Sequence, residues 1–327
     1  MKTITFLATD RSINVGSYRI WVNDLSQYLK SCGVSCKITN SPTVAYGSGS
    51  EIIICSKADA SIAEAIMNEN RKVGVINLSA DSKVRPDFVI VGSIEEQISL
   101  SHHKNVFLFP LIENMYQSCD HYKKHKDKDV LRIGFHGSHT HLGKFDYGLK
   151  QSLETLDKEI DLELFVITSN QHFKWKTGKP KIKNIIIKQW NFNTVRDDLL
   201  SCDIGVVPNV TNIDPCDDKQ GTSVDLGRYN TDYVTRFKNK SNAGRNFVFH
   251  QLGIPVVGDL TPSNLHILGS PECGFVAQNT NSWYKALSCL RDAEKRQQTA
   301  DNAKKEFDRL YNPLNWAKHL YDRIEEI

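Results

Sequence analysis

The chain has 327 residues, 40% of them hydrophobic and 24% charged, with a formal net charge of +3. That length and composition suit a globular protein with two domain cores, and the near-balanced charge argues against a dedicated nucleic-acid binder, which carries a strongly basic face. No apolar run approaches the length needed to span a bilayer. The N-terminus enters a strand-like segment at once, without the pattern of a signal peptide, so a cytoplasmic protein is expected. The eight cysteines are scattered. Only Cys32 and Cys36 stand close, with no second pair at zinc-finger spacing, so they are read as reduced thiols packed as small apolar groups.

Taken in chain order, residues 3–8 form a buried-strand run. Residues 18–29 have helical spacing, with Ile20, Trp21, Leu25, Tyr28 and Leu29 on one face and Gly33 as the stop. Strands are predicted at 36–39, 52–55, 73–78, 88–91 and 106–109. Helices are predicted at 61–68 and 93–99, the second capped by Ser93 with Glu96 three residues on. Residues 113–129 lose the apolar period and gain charge, which reads as a linker. A second alternating series then begins: strands at 130–135, 162–167, 185–187 and 204–207, and helices at 145–156 and 194–200. Residues 209–240 carry little apolar period, and a loop of that length inside a domain is usually functional or disordered. A helix at 242–252 stops at Gly253. Strands follow at 255–257 and 275–277, then helices at 282–290, 293–311 and 314–327, with Pro313 at a helix start.

Strands alternating with helices predict parallel sheets covered on both faces. The expected architecture is two Rossmann-like, doubly wound domains facing a cleft: residues 1–115, a linker at 116–129, a second domain at 130–312, and a terminal helix at 313–327. Leu314, Ala317, Leu320 and Tyr321 share one face of that helix, extended by Trp316 and Ile324. The spacing leaves open whether this helix packs on the second domain or on the first.

Three loops are candidates for ligand binding. After the first strand, Gly16 opens a helix and lets the backbone approach a phosphate, although no dinucleotide fingerprint or Walker lysine loop is present. After the first strand of the second domain comes His136-Gly-Ser-His-Thr-His-Leu-Gly143. Gly137, Ser138 and His141 there suit a diphosphate or a sugar. The histidines have no carboxylate or cysteine among them, and the spacing is not that of a zinc site. The third loop is Lys238-Asn-Lys-Ser-Asn-Ala-Gly-Arg245. Lys240, Ser241, Asn242 and Arg245 combine cations, hydroxyl and amide donors at a helix start, with Ser241 as the expected N-cap. Basic stretches at 121–126 and 174–183 read either as solvated surface or as attraction to phosphates and anionic lipid headgroups, which allows peripheral membrane contact.

From Val130 onward the chain resembles the C-terminal domain of GT-B glycosyltransferases, in particular the retaining group 1, or glycogen-synthase-like, transferases. The likeness rests on Ile133-Gly-Phe-His-Gly-Ser138 with His141, Ser201-Cys-Asp-Ile-Gly-Val-Val-Pro208, Lys240-Ser-Asn242, Gly253-Ile-Pro-Val-Val257, and Glu272-Cys-Gly-Phe-Val276 with Trp283 and Leu287. Asn302, Ala303 and Tyr311 continue it. In the first domain, Gly16-Ser-Tyr-Arg-Ile20 resembles a helix start of some members.

The resemblance implies a nucleotide-sugar donor, bound as a substrate with no cofactor or metal, and a glycan, lipid-linked or small glycoside acceptor. It implies donor contacts from Gly16, Gly137, Ser138, His141, Lys240, Ser241, Asn242 and Arg245. It also implies that the terminal helix crosses back from the kink at Pro313 and packs on residues before 120. No catalytic residue is assigned, and Asp81 and His141 are the candidates for a base. The family often carries two glutamates on the donor-site helix, at positions that here hold Lys240 and Val248. Asp214, Asp217, Asp218 and Asp225 stand in the long loop as replacements. A binding protein without catalysis and a nucleotide-sugar epimerase are the alternative readings.

Overall fold

The computed structural model describes residues 3–67, 70–79, 81–117, 122–175, 177–209 and 242–327. Six strands form the first sheet: β1 (Thr3–Leu7), β2 (Ser35–Thr39), β3 (Ile52–Cys55), β4 (Lys72–Ile76), β5 (Phe88–Val91) and β6 (Val106–Leu108). All pair in parallel, in the order β2-β1-β3-β4-β5-β6. The second sheet holds β7 (Val130–Gly137), β8 (Asp161–Thr168), β9 (Asn184–Gln189), β10 (Ile204–Val207), β11 (Val256–Asp259) and β12 (Phe275–Ala277). Its order is β12-β11-β10-β7-β8-β9, again parallel throughout.

The helices follow the strands. Around the first sheet they are α1 (Gly16–Tyr18), α2 (Leu25–Ser31), α3 (Pro42–Tyr46), α4 (Ala63–Ile66) and α5 (Ile94–Ser99). Then come α6 (Leu149–Leu156), α7 (Val195–Leu200), α8 (Gly244–Gln251), α9 (Pro262–Leu268), α10 (Thr280–Cys289), α11 (Ala293–Leu310) and α12 (Pro313–Glu325). Each sheet is apolar on both faces, as the near-continuous burial of β3, β5, β10 and β11 shows. Two core clusters flank each sheet.

Several local details depart from the sequence pattern. The single helix expected at 18–29 is longer, and it is interrupted: α1 and α2 are joined by a π-helical turn over Arg19–Asp24. Such widened turns are unusual and recur at functional sites. The helix expected from 145 begins only at Leu149, because Gly148 at φ 105 breaks the chain direction after a 3-10 turn over His139–Asp146. The Ser93 hydroxyl accepts from Glu96 N at 3.1 Å as the cap predicted, but the Glu96 carboxylate reaches back to Gly92 N at 2.8 Å rather than to Ser93. The helix α9 was not anticipated.

The polar stretch read as a linker is firmly held where it is described. Tyr116 is buried in a core cluster of the second sheet. Lys123 is buried, donates to Leu200 O at 2.8 Å and lies 3.2 Å from the Asp203 carboxylate.

The terminal helix α12 crosses to the first domain. Ala317, Leu320 and Ile324 are buried in one cluster with Ile4, Trp21, Leu25 and Phe107. Burying each large aliphatic side chain stabilises the packing by roughly 1.5–3 kcal/mol. Lys72 Nζ from β4 donates to the carbonyls of Ile324 (2.9 Å) and Glu325 (3.2 Å), satisfying groups that a helix end leaves open. Leu314, expected on the apolar face, is exposed.

Candidate active site

The carboxyl ends of both sheets face one cleft of about 520 Å³. From the first sheet, the segment after β1 contributes Asn14, Gly16 and Arg19, and the segment after β6 contributes Leu111 and Glu113. From the second, β7 ends at Gly137 with Ser138 next, Ser169 follows β8, and Gln189, Trp190 and Asn191 stand at the end of β9. Asn242, Gly244 and Arg245 close it from the start of α8. Parallel sheets place ligand sites in this position because strand ends and helix starts converge there.

The position of α8 depends on Gly205. A Cβ at that residue would lie 2.5 Å from the Phe249 ring, so only glycine lets α8 rest this close on β10. The helix then presents Arg245 to the cleft, beneath Gly137. The backbone at Gly137 has φ +134, and a Cβ there would press on the Arg245 side chain at 3.4 Å. The Arg245 guanidinium donates to Pro208 O at 3.3 Å and to Asn209 Oδ1, and stacks over the Phe135 ring at 5.5 Å. Its Nη1 is buried and has no hydrogen-bond partner among the described residues. Burial lowers the Arg245 pKa to about 10, a value at which it stays charged near neutrality.

His136 is buried beside it, with Nε2 3.4 Å from Arg245 O and the ring edge-on to Phe249. Burial, then the Arg245 charge, lower its pKa to about 3, so the ring is neutral. On the opposite wall, Arg19 Nε and Nη2 donate to Glu113 Oε2 at 2.9 and 2.7 Å, and Nη1 donates to Ile13 O at 2.8 Å. The same guanidinium lies over the Trp190 ring at 4.8 Å. Burial raises the Glu113 pKa, opposed by Arg19. Asp24, at the end of the π turn, accepts from Asn114 N at 3.0 Å and so fixes the backbone next to Glu113.

Of the residues singled out in the sequence, Gly16, Gly137, Ser138, Asn242 and Arg245 come together in the cleft. Lys240 and Ser241 lie outside the described residues, as do Asp214, Asp217, Asp218 and Asp225. The described N-cap of α8 is Ala243. His141 sits in the turn after Ser138, with its N–H donating to Ser138 O at 3.0 Å, and is not among the cleft-lining residues. Asp81 is exposed and does not line the cleft either. The pattern missed Arg19, Glu113, Trp190 and Gln189. Strand ends carried the only signal for the last two, and Glu113 was hidden in an apparent linker.

Among the described residues, no three His, Cys, Asp or Glu side chains gather as metal ligands would. No helix among them is long and apolar enough to cross a membrane.

Two six-stranded parallel sheets facing a cleft, with the last helix crossing back, define the GT-B class of fold. No protein-family model matches the sequence, and no curated protein matches it. Similarity appears among solved structures. Sucrose-phosphate synthase from Thermosynechococcus elongatus is similar over 100% of this chain and 99% of its own, with TM-score 0.68 and 12% identity. HepE from Anabaena, solved with UDP and glucose, covers 100% of both chains with TM-score 0.61 and 8% identity. S. aureus TarM, solved with UDP among its ligands, matches over 83% of this chain with TM-score 0.58 and 10% identity. The chain spans only about half of TarM, 55% of its length.

Proposed function

We propose that this protein is a glycosyltransferase that moves a sugar from a nucleotide-sugar donor to a glycan, lipid-linked or small glycoside acceptor. The observation that carries the reading is Arg245, which lines a cleft at the strand ends of a GT-B fold with its Nη1 unpartnered among the described residues. A guanidinium placed there offers a fixed donor fork to a diphosphate. Transfer breaks the bond between the anomeric carbon and the diphosphate oxygen and forms one to an acceptor hydroxyl, which releases its proton. Negative charge develops on the diphosphate, and a preorganised cation in a poorly hydrated site stabilises it. Ser138, the Asn242 amide and the backbone at Gly137 supply neutral donors. Lys240 and Ser241 belong to the same proposed donor site, Gly16 to its opposite wall, and His141 acts through the turn in which its N–H donates to Ser138 O. Independence from metal and retention of anomeric configuration are part of this proposal, as is a cytoplasmic location.

The first test is a thermal-shift screen with UDP, GDP, ADP, CMP and dTDP, followed by hydrolysis of the matching nucleotide sugars. One nucleotide is expected to raise the melting temperature by mass action. UDP is the first to try, since HepE and TarM were solved with it. Failure of all five to bind would overturn the proposal.

A second reading is binding without transfer. Glu113 is the only carboxylate among the described cleft residues, and it is occupied by Arg19. Tight binding of a nucleotide sugar with no turnover in the presence or absence of acceptors would select it.

A further inference from the structure

A second cavity, of about 540 Å³, lies beside the cleft in the second domain. Its neighbours in sequence tie it to the site just described. Ser138 and Ser169 line the cleft, and the next residues, His139 and Asn170, line this cavity. Its wall is aromatic. His139 and Phe173 stack at 5.6 Å and 22°, and Phe173 meets Trp175 at 5.8 Å. Trp175 is propped edge-on against Phe145 in the core, which holds it in place. His139 Nδ1 and Trp175 Nε1 are shut off from solvent and have no hydrogen-bond partner among the described residues. The one lysine on the wall, Lys174, is exposed, and no Asp or Glu lines the cavity among the described residues.

Each of these features narrows the ligand. Flat aromatic faces offer large contact area to a flat, weakly polar partner at low cost in side-chain entropy. Asn170 adds an amide that both donates and accepts. A sugar ring has an apolar C–H face for the aromatic wall and a rim of hydroxyls for Asn170, and it meets both demands at once. Lys174, with no acid beside it, favours a sugar that carries a negative group.

We propose that this cavity is a carbohydrate subsite for an acidic sugar unit of the acceptor chain, one held beside the point of transfer. It rests on the reading of the cleft as a glycosyl-transfer site, and it adds the class of acceptor. Anchoring a distal unit raises the effective concentration of the reacting end.

The test uses the full chain against a printed panel of uronate- or phosphate-bearing oligosaccharides and neutral ones of equal length. UDP binding is measured in parallel by thermal shift. Acidic oligosaccharides are expected to be retained over neutral ones. Phe173→Ala and Lys174→Glu are each expected to lower that retention about tenfold or more, on the scale of one lost aromatic or charged contact. Neither variant should change UDP affinity. Lys174 is exposed, so Lys174→Glu stays informative if Phe173→Ala fails to fold. Retention of no oligosaccharide while UDP still binds overturns the subsite and leaves the transferase reading intact. Retention of neutral sugars equal to acidic ones, or unaffected by Lys174→Glu, overturns the acidic preference. A loss of UDP binding in Phe173→Ala matching the loss of glycan would make the cavity part of the nucleotide site and overturn the proposal.

Discussion

The Arg19 guanidinium lies 4.8 Å from the centroid of the Trp190 ring. A residue of the helix after β1 thus meets a residue at the end of β9 across the cleft, while the same guanidinium neutralises buried Glu113. Arg19→Met would leave that carboxylate buried without its partner, and should destabilise the protein by about 3–5 kcal/mol. Adding Glu113→Gln should restore at least half of the loss, and Trp190→Leu alone should cost about 0.5–2 kcal/mol. Urea unfolding of the single and double variants measures these values. A double variant no more stable than Arg19→Met would show that the ion pair is not what holds this wall.

Arg245→Lys keeps the charge and removes the planar fork. Its affinity for the cognate nucleotide should fall about tenfold or more, the scale of a charge-assisted hydrogen bond lost. Calorimetric titration checks this, and unchanged affinity would remove Arg245 from the donor site.

Gly205→Ala places a methyl group 2.5 Å from the Phe249 ring. Overpacking of this kind costs about 1–3 kcal/mol. Because the strain is local to one pair, Gly205→Ala with Phe249→Leu should be less than additive. Additive losses in melting experiments would place the clash elsewhere.

Acid should destabilise the protein through His136 and His250. Burial lowers both pKa values to about 3, with the Arg245 charge adding to the shift at His136. An unfolded histidine titrates near ~6.5. Above that pH both states are neutral and the groups add no pH dependence. As the pH falls from about 6.5 towards about 3, the unfolded chain takes up protons that the folded chain refuses, and stability is lost. Neither ring nitrogen of His250 has a partner among the described residues. His250→Leu should therefore raise stability near neutrality by about 1–3 kcal/mol and flatten the acid limb of the pH–stability curve. A steeper acid limb in that variant would contradict the assignment.

Leu320→Ala, at the terminal helix, should cost about 2–5 kcal/mol as a core truncation. The loss should appear as faster amide exchange in β1 and β6, which share its core cluster, rather than in β7 and β8. Exchange that quickens only in the second sheet would contradict the packing of α12.

The architecture was readable in the sequence because buried parallel strands leave short apolar runs between helical periods, and both series of these were intact. The apolar face of α12 was readable from the spacing of Ala317, Leu320 and Ile324, but its crossing followed from the resemblance to GT-B proteins, since that face could equally cover the second domain. The candidate site was only half readable. Gly137, Ser138 and Arg245 announced themselves, since glycines and cations at helix starts have a known use. Arg19 and Glu113 did not, because they are 94 residues apart and each looks ordinary alone. The π turn between α1 and α2 also left no mark, as it shifts backbone hydrogen bonds without changing the apolar period.

The seating of α12 has a consequence for the order of events during synthesis. Leu320 and Ile324 complete a cluster that begins at Ile4, so the first domain waits for residues more than three hundred positions downstream before its core can close. On the ribosome, the amino-terminal sheet would emerge early with an uncovered apolar face. Such exposed intermediates are prone to aggregate. The half made first thus closes only after the second has been made, and the second domain can mature while its predecessor is still open.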